Sequence, residues 1–290
     1  MRPVPSLPSD KAARHPRLRR ASAITRYSLA AALEALTDAG SPPAMPPEGL
    51  GIIYVMMNGC VNHTGRFYSE VLQNPAQASP LIFPETVFNA PASHVASFLG
   101  IDGAVSTLVG GSNVVMEALD MAAFWIRGGT VAECLVIAAE ESDWLSAEAL
   151  TYYHPKLVAS EGAGALLLSA DGPGPQIRDV IGPMCHTSWE ERAALLPELA
   201  AQTTAKVDGD ATLIDDQCGI ARIDRAEAAA WSQTTWNAVR SPKAVLGESM
   251  GAGTALQLVL GVLEARETQR QAVVSMPGAN TAAYACVITP

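Results

Sequence analysis

The sequence predicts an α/β protein with covered sheets, and three observations predict it. Short continuous apolar runs such as Gly51–Met57 and Cys134–Ala139 read as strands buried on both faces. Between them, Val114, Val115, Ala118, Met121, Ala122 and Trp125 follow helical spacing and end at Gly128-Gly129. Strand, helix and strand in this order make a βαβ unit. The 290 residues suffice for one large domain with a real core.

Residues 1–20 are rich in Pro and Arg and read as an N-terminal arm. Helical periodicity runs from Ser22 to Asp38 through Ile24, Leu29, Ala32, Leu33 and Leu36, and stops at Gly40 before Pro42-Pro43. Gly51–Met57 is the first buried strand. Residues 58–84 read as mostly loop with a short helix over Phe67–Leu72. Ser93–Leu99 reads as helix, Gly100–Gly103 as turn and Ala104–Val109 as a short strand. The helix from Asn113 follows, then the strands Cys134–Ala139 and Gly164–Leu168. Ala170–Pro175 is a Gly/Pro loop and divides residues 21–290 into halves of about 21–170 and 176–290. In the second half Thr212–Ile214 reads as strand, Asp224–Trp236 and Ala252–Ala265 as helices, and alternating strands close the chain from Gln271 to Thr289.

Composition excludes several functions. Hydrophobic residues make up 49% of the chain and charged residues only 17%, so a partner is expected to cover some apolar surface. The net charge of −10 argues against nucleic-acid binding. One basic cluster, Lys11 with Arg14 to Arg20, reads as a solvated arm or as a docking patch for an acidic partner. Five cysteines (Cys60, Cys134, Cys185, Cys218, Cys286) lack paired or metal-binding spacing, so reduced thiols, a cytoplasmic location and no metal are expected. No apolar signal region and no run of about 18 apolar residues is present.

Four segments, in order, resemble the ketosynthase branch of the thiolase superfamily. Phe83–Ala90 with Val95-Ala96 resembles the stretch before the nucleophile, and Val105–Ser112 the nucleophile turn. Ser160-Glu161-Gly162-Ala163-Gly164-Ala165 resembles the family's acidic, Gly-rich strand start. Lys243–Glu248 followed by Gly251-Ala252-Gly253 resembles its Lys-x-x-x-Gly-His motif. A weaker fifth match is Asp216-Gln217-Cys218-Gly219, which with Asp224 and Glu227 downstream fits the spacing of the His-Gly-Thr-Gly-Thr motif, and Pro277–Thr281, including Asn280, resembles the closing Gly-rich loop. The resemblance implies a thiolase-like layered α-β-α-β-α fold. It also implies abbreviation at the N-terminus, where the opening strand is lacking, and around 150–160 and 185–210.

What the resemblance implies for chemistry is loss. The nucleophilic cysteine position reads Val109, ahead of Gly110 and Gly111, and the two histidine positions read Asp216 and Glu248. Decarboxylative condensation needs a thiolate to carry the acyl chain and donors to stabilise the enolate. Valine forms no thioester. Each ionised carboxylate about 4 Å from developing negative charge costs about 4 kcal/mol at an effective dielectric of about 20, nearly three powers of ten in rate. No catalytic residue and no cofactor is expected at this site. Lys243 either joins Asp216 and Glu248 in an ion cluster or is a surface lysine at a helix start. Glu161 reads as structural, capping a turn or meeting a partner residue. Cys218 and Cys60 are alternative nucleophiles or small buried hydrophobes, and Ser112 reads as a helix cap.

By this resemblance the expected role is a chain-length-factor subunit. It would pair with an active ketosynthase and meet an acyl carrier protein in polyketide or fatty-acid-like biosynthesis, with aryl polyene pathways as one setting. The expected heterodimer surface is Phe83–Leu99 with the strand at Leu135. The alternatives are a scaffold that binds carrier protein, or an acyl-transfer or thioesterase enzyme whose nucleophile has moved.

Overall fold

The computed structural model describes residues 18, 21–41, 47–279 and 281–290. The N-terminal arm, apart from Leu18, and Asn280 lie outside the described residues. In chain order the elements of the first half are α1 (Ala23–Asp38), β1 (Leu50–Met56), α2 (Val61–Gln73), α3 (Ala90–Leu99), β2 (Val105–Val109), α4 (Val114–Arg127), β3 (Glu133–Glu140), α5 (Trp144–Tyr153) and β4 (Gly162–Ser169). The second half holds β5 (Gln176–Cys185), α6 (Trp189–Thr204), β6 (Ala211–Ile214), α7 (Ala221–Trp231), β7 (Ala238–Arg240), α8 (Pro242–Leu246), α9 (Met250–Thr268), β8 (Gln271–Met276) and β9 (Ala282–Thr289).

Two mixed sheets result, in the orders β2-β1-β3-β4 and β5-β9-β8-β6-β7. In the first, β1 runs parallel to β2 and β3, and β4 runs antiparallel to β3. In the second, β6 runs parallel to β7 and β8, and β9 runs antiparallel to β8. The same order and directions thus recur, and β5 is an additional strand antiparallel to β9. Among the described residues, β4 has no strand on its outer edge.

Three cores explain why the strands read as unbroken apolar runs. Ile53 and Val55 of β1 face inward, where α4 and α9 lie between the sheets and meet Val274, Met276 and Ile288 from the second sheet. Ile52, Tyr54 and Met56, on the opposite face, pack against α1 and α3. The outer face of the second sheet packs against α6 and α7 through Leu196, Leu199 and Trp231. The layers therefore run α-β-α-β-α, the arrangement the sequence motifs imply. Small residues let the layers approach closely: a Cβ built on Gly164 of β4 would lie 2.9 Å from Ala255 of α9.

Several local expectations need correction. Helix α2 starts at Val61, but all its side chains remain at least partly exposed, so it lacks a core stripe to read. Helix α6 lies in a stretch to which the sequence assigns no element, because Pro197 inside it masks the pattern. The helix read over Asp224–Trp236 is α7, Ala221–Trp231. Leu135 is fully buried in central β3, so that strand cannot form a surface. The open edge of the first sheet on the other side is β2, where Val105 and Val109 are 40% and 50% exposed.

Candidate functional site

The turn after β2 is tightly built. Val109 closes the strand opposite Met56, and the Gly110 N–H donates to the Met56 carbonyl at 3.1 Å. A Cβ on Gly110 would lie 2.4 Å from Val114 Cγ2, so any larger residue there would displace the Val114 side chain. Helix α4 is not capped by Ser112. Its N-cap is Asn113, whose side chain instead donates to the carbonyls of Met276 and Ala282, at 2.9 and 2.7 Å. That amide ties the turn to the second half of the chain.

Asp216, Lys243 and Glu248 do meet. The Lys243 ammonium lies 2.6 Å from Asp216 Oδ1 and 2.9 Å from Glu248 Oε2. Lys243 belongs to the short helix α8, and the loop after β6 supplies Asp216. Gly247, at φ 92°, turns the chain so that Glu248 faces back toward the lysine. A Cβ on Gly247 would come within 2.7 Å of the Val158 carbonyl. Lys243 is 7% exposed, which rules out the reading as a surface lysine. Burial alone would depress its ammonium, but the two carboxylates overcome this and hold it above its ordinary value. Burial raises the Asp216 carboxyl and Glu248 adds to it, while Lys243 opposes both. Glu248 Oε1 also accepts the Met250 N–H at 2.7 Å. The ammonium is thus held between two acids, and no imidazole or thiol is part of the cluster.

A second acidic layer lies behind it, which the sequence motifs left unassigned. Glu227 accepts from the Asp216 N–H at 3.0 Å and from the Ser275 hydroxyl at 2.5 Å, and Ser275 in turn accepts from Trp231 Nε1. Burial, and then the Asp216 charge, push Glu227 up to about 8. Burial lifts the fully buried Asp215 to about 6, although Ser241 and Gln217 donate to it. Arg192 adds a distant favourable charge and is fixed by donating to the Gly278 carbonyl. Among sequence signals, only the spacing of Asp224 and Glu227 after Asp216 pointed this way.

The other candidates have structural partners. Glu161 accepts from Tyr27 Oη at 2.8 Å and from the Ser142 N–H at 3.3 Å, joining α1 to the β3–β4 connection. Glu140, 1% exposed, accepts the N–H groups of Met57 and Asn58, and burial still pushes it up to about 7. His94 pairs with Glu85 at 2.9 Å. Burial, reinforced by Asp224, pushes the Cys218 thiol up to about 12. Burial likewise pushes Cys60, 2% exposed, up to about 12. At neutral pH each is thiolate to only about one part in 10⁵. Among the described residues, no group of three His, Cys, Asp or Glu could hold a metal, and no helix is long and apolar enough to cross a membrane.

Comparison with known proteins agrees with this architecture. Residues 9–151 match the β-ketoacyl synthase N-terminal domain. No curated protein sequence matches the chain. Among solved structures, the ishigamide ketosynthase/chain length factor superposes with a TM-score of 0.76 at 20% identity, covering 98% of this chain and 85% of that one. A type II polyketide synthase acyl-carrier protein in complex with its ketosynthase bound to the hexaketide gives 0.79 at 15% identity, over 99% and 87% of the chains. A β-ketoacyl synthase from Burkholderia phymatum STM815 gives 0.70 at 16%, over 98% and 85%. Residues 9–151 thus resemble a β-ketoacyl synthase N-terminal domain, and the chain as a whole has the thiolase-like layered fold of the solved ketosynthases.

Proposed function

We propose that the chain is a catalytically inactive chain-length-factor subunit. It pairs with an active β-ketoacyl synthase, helps shape the acyl channel and meets an acyl carrier protein in type II polyketide or fatty-acid-like biosynthesis. Aryl polyene synthesis is one setting, and the cytoplasm its compartment. The observation that carries the reading is the degenerate ketosynthase site. Val109 stands at the nucleophile turn, and Lys243 is clamped between Asp216 and Glu248 where the family has histidines. Such a cluster stabilises a pocket but supplies no nucleophile, and its ammonium donor is held by two carboxylates that repel a developing oxyanion. Glu161, Gly110 and Gly111 then serve as framework of that pocket.

The partner-facing surface in this reading is the open edge of β2 with the neighbouring apolar side chains. Tyr68, Leu72, Leu81, Phe83 and Phe88 are all more than 45% exposed. Phe67 and Phe83 pack ring against ring at 5.5 Å, so part of this surface is already ordered. Exposed apolar area on this scale marks an interaction face. Residues 21–290 act as one domain of two related halves, a view supported by the repeated order and directions of the sheets.

The test is co-expression with candidate ketosynthases from the same operon, followed by co-purification, mass determination and a condensation assay. A one-to-one complex that condenses only with both chains present supports the proposal. A stable homodimer that condenses by itself overturns it. The reading with a nucleophile moved to Cys218 or Asp216 is disfavoured because burial holds the Cys218 and Cys60 thiols protonated and Lys243 engages Asp216.

A further inference from the structure

A small cavity lies beside the ion cluster, between the end of β3 and the turn into α9. Asn58, Glu140, Glu141, Ser142, Ser160 and Glu248 contribute to its wall. Its volume of about 10 Å³ admits one water-sized occupant. Two features set it apart from a packing defect. Ser142 and Ser160 are 6% and 7% exposed, and neither hydroxyl oxygen has a hydrogen-bond partner. Unpartnered hydroxyls at this depth are rare and call for an occupant.

The charges call for a positive one. Glu140, Glu141 and Glu248 line the wall, and Asp216 stands behind Glu248. Lys243 is shared between the last two. Glu140 receives two backbone N–H groups, as does Glu141 from Ile24 and Asn62, and among the described residues neither has an ion pair. Buried carboxylates without a cation are costly.

We propose that this cavity binds one monovalent alkali cation, held by the hydroxyl oxygens of Ser142 and Ser160 together with Glu140. Divalent ions of this class take six or more oxygens, several of them carboxylate, in a dedicated cage. The described residues offer no cluster of three acidic or imidazole groups with metal-binding geometry. Hydroxyls and one carboxylate suit a singly charged ion. Bound there, the ion joins the end of β3, the stretch before β4 and the turn carrying Glu248. The inference is independent of the proposed partner and pathway.

The test uses the full chain, or its complex if it purifies with a partner. The protein is exchanged into choline chloride, and its thermal midpoint is followed as sodium or potassium chloride replaces choline at constant ionic strength. A saturating rise of roughly 4–8 °C with one alkali ion is expected. The doubly substituted Ser142→Ala, Ser160→Ala protein should lose that rise. Sodium NMR line broadening on the unsubstituted protein gives a reading that needs no variant. Equal midpoints in choline, sodium and potassium would mean that the cavity holds only water, and would overturn the proposal. A response confined to calcium or magnesium would overturn it as well.

Discussion

Replacing Lys243 by Met removes one buried ammonium at nearly constant volume and leaves Asp216 and Glu248 facing each other. The lysine sits 2.6 and 2.9 Å from them. At an effective dielectric of about 20, these contacts amount to roughly 6 kcal/mol each. Against this stands the recovered desolvation cost of the lysine, several kcal/mol, so the net loss is about 3–5 kcal/mol. In a chain of this size that lowers the thermal midpoint by roughly 6–15 °C. The loss depends on pH in a definite direction. Without the lysine, the Asp216 carboxyl, already raised by burial and by the neighbouring Glu248 charge, loses the one charge that lowers it most, so the folded state binds more protons than the unfolded one. Stability therefore falls as pH rises from about 4 through that raised value, and Lys243→Met is least damaging near pH 5. Circular-dichroism melts of both proteins at pH 5 and pH 8 measure this. The triple change Asp216→Asn, Lys243→Met, Glu248→Gln removes every charge and should recover most of the loss. A single variant that melts within about 2 °C of the parent at pH 8, or equally reduced at both pH values, would refute the reasoning.

Glu227, raised to about 8, costs stability progressively as pH rises from its ordinary value near 4.5 to about 8. Glu227→Gln should flatten that part of the stability–pH profile, measured by urea unfolding. Gly164→Ala drives a methyl against Ala255 of α9 and should cost about 1–3 kcal/mol in the same experiment. Asn113→Ala leaves the Met276 and Ala282 carbonyls without their shared donor and should cost about 1–3 kcal/mol. Iodoacetamide at pH 7.5 should modify the exposed Cys185 well before Cys218 or Cys60, as peptide mass mapping of a time course would show.

The layered fold was legible because its middle is covered on both sides. β1 and β3 are continuous apolar runs and α4 carries a clear stripe, whereas β8 and β9, read as alternating, are buried on both faces. The elements that escaped reading are those that contribute little to a core. β5 lies at a sheet edge, alternates with charges and contains Gly182-Pro183. α5 buries only Leu150. The site was legible in residue identity and not in assembly. Asp216 lies 27 positions before Lys243, and only the fold sets the loop after β6 against α8. Spacing alone left Lys243 equally compatible with the surface. Glu140 and Asp215 sit in ordinary-looking stretches, and their significance comes from depth, which a single sequence does not display.

The bare edge of β2 carries a consequence for how such a chain survives in a cell. Among the described residues no further strand pairs with it, so its backbone groups form a template for a passing strand, and no charged residue within Val105–Val109 discourages that. An edge left open exposes a chain to self-association and to proteases that act on opened states. The amount of such a chain would then follow the supply of whatever covers the edge. A sheet edge can in this way meter the stoichiometry of an assembly without any dedicated regulator.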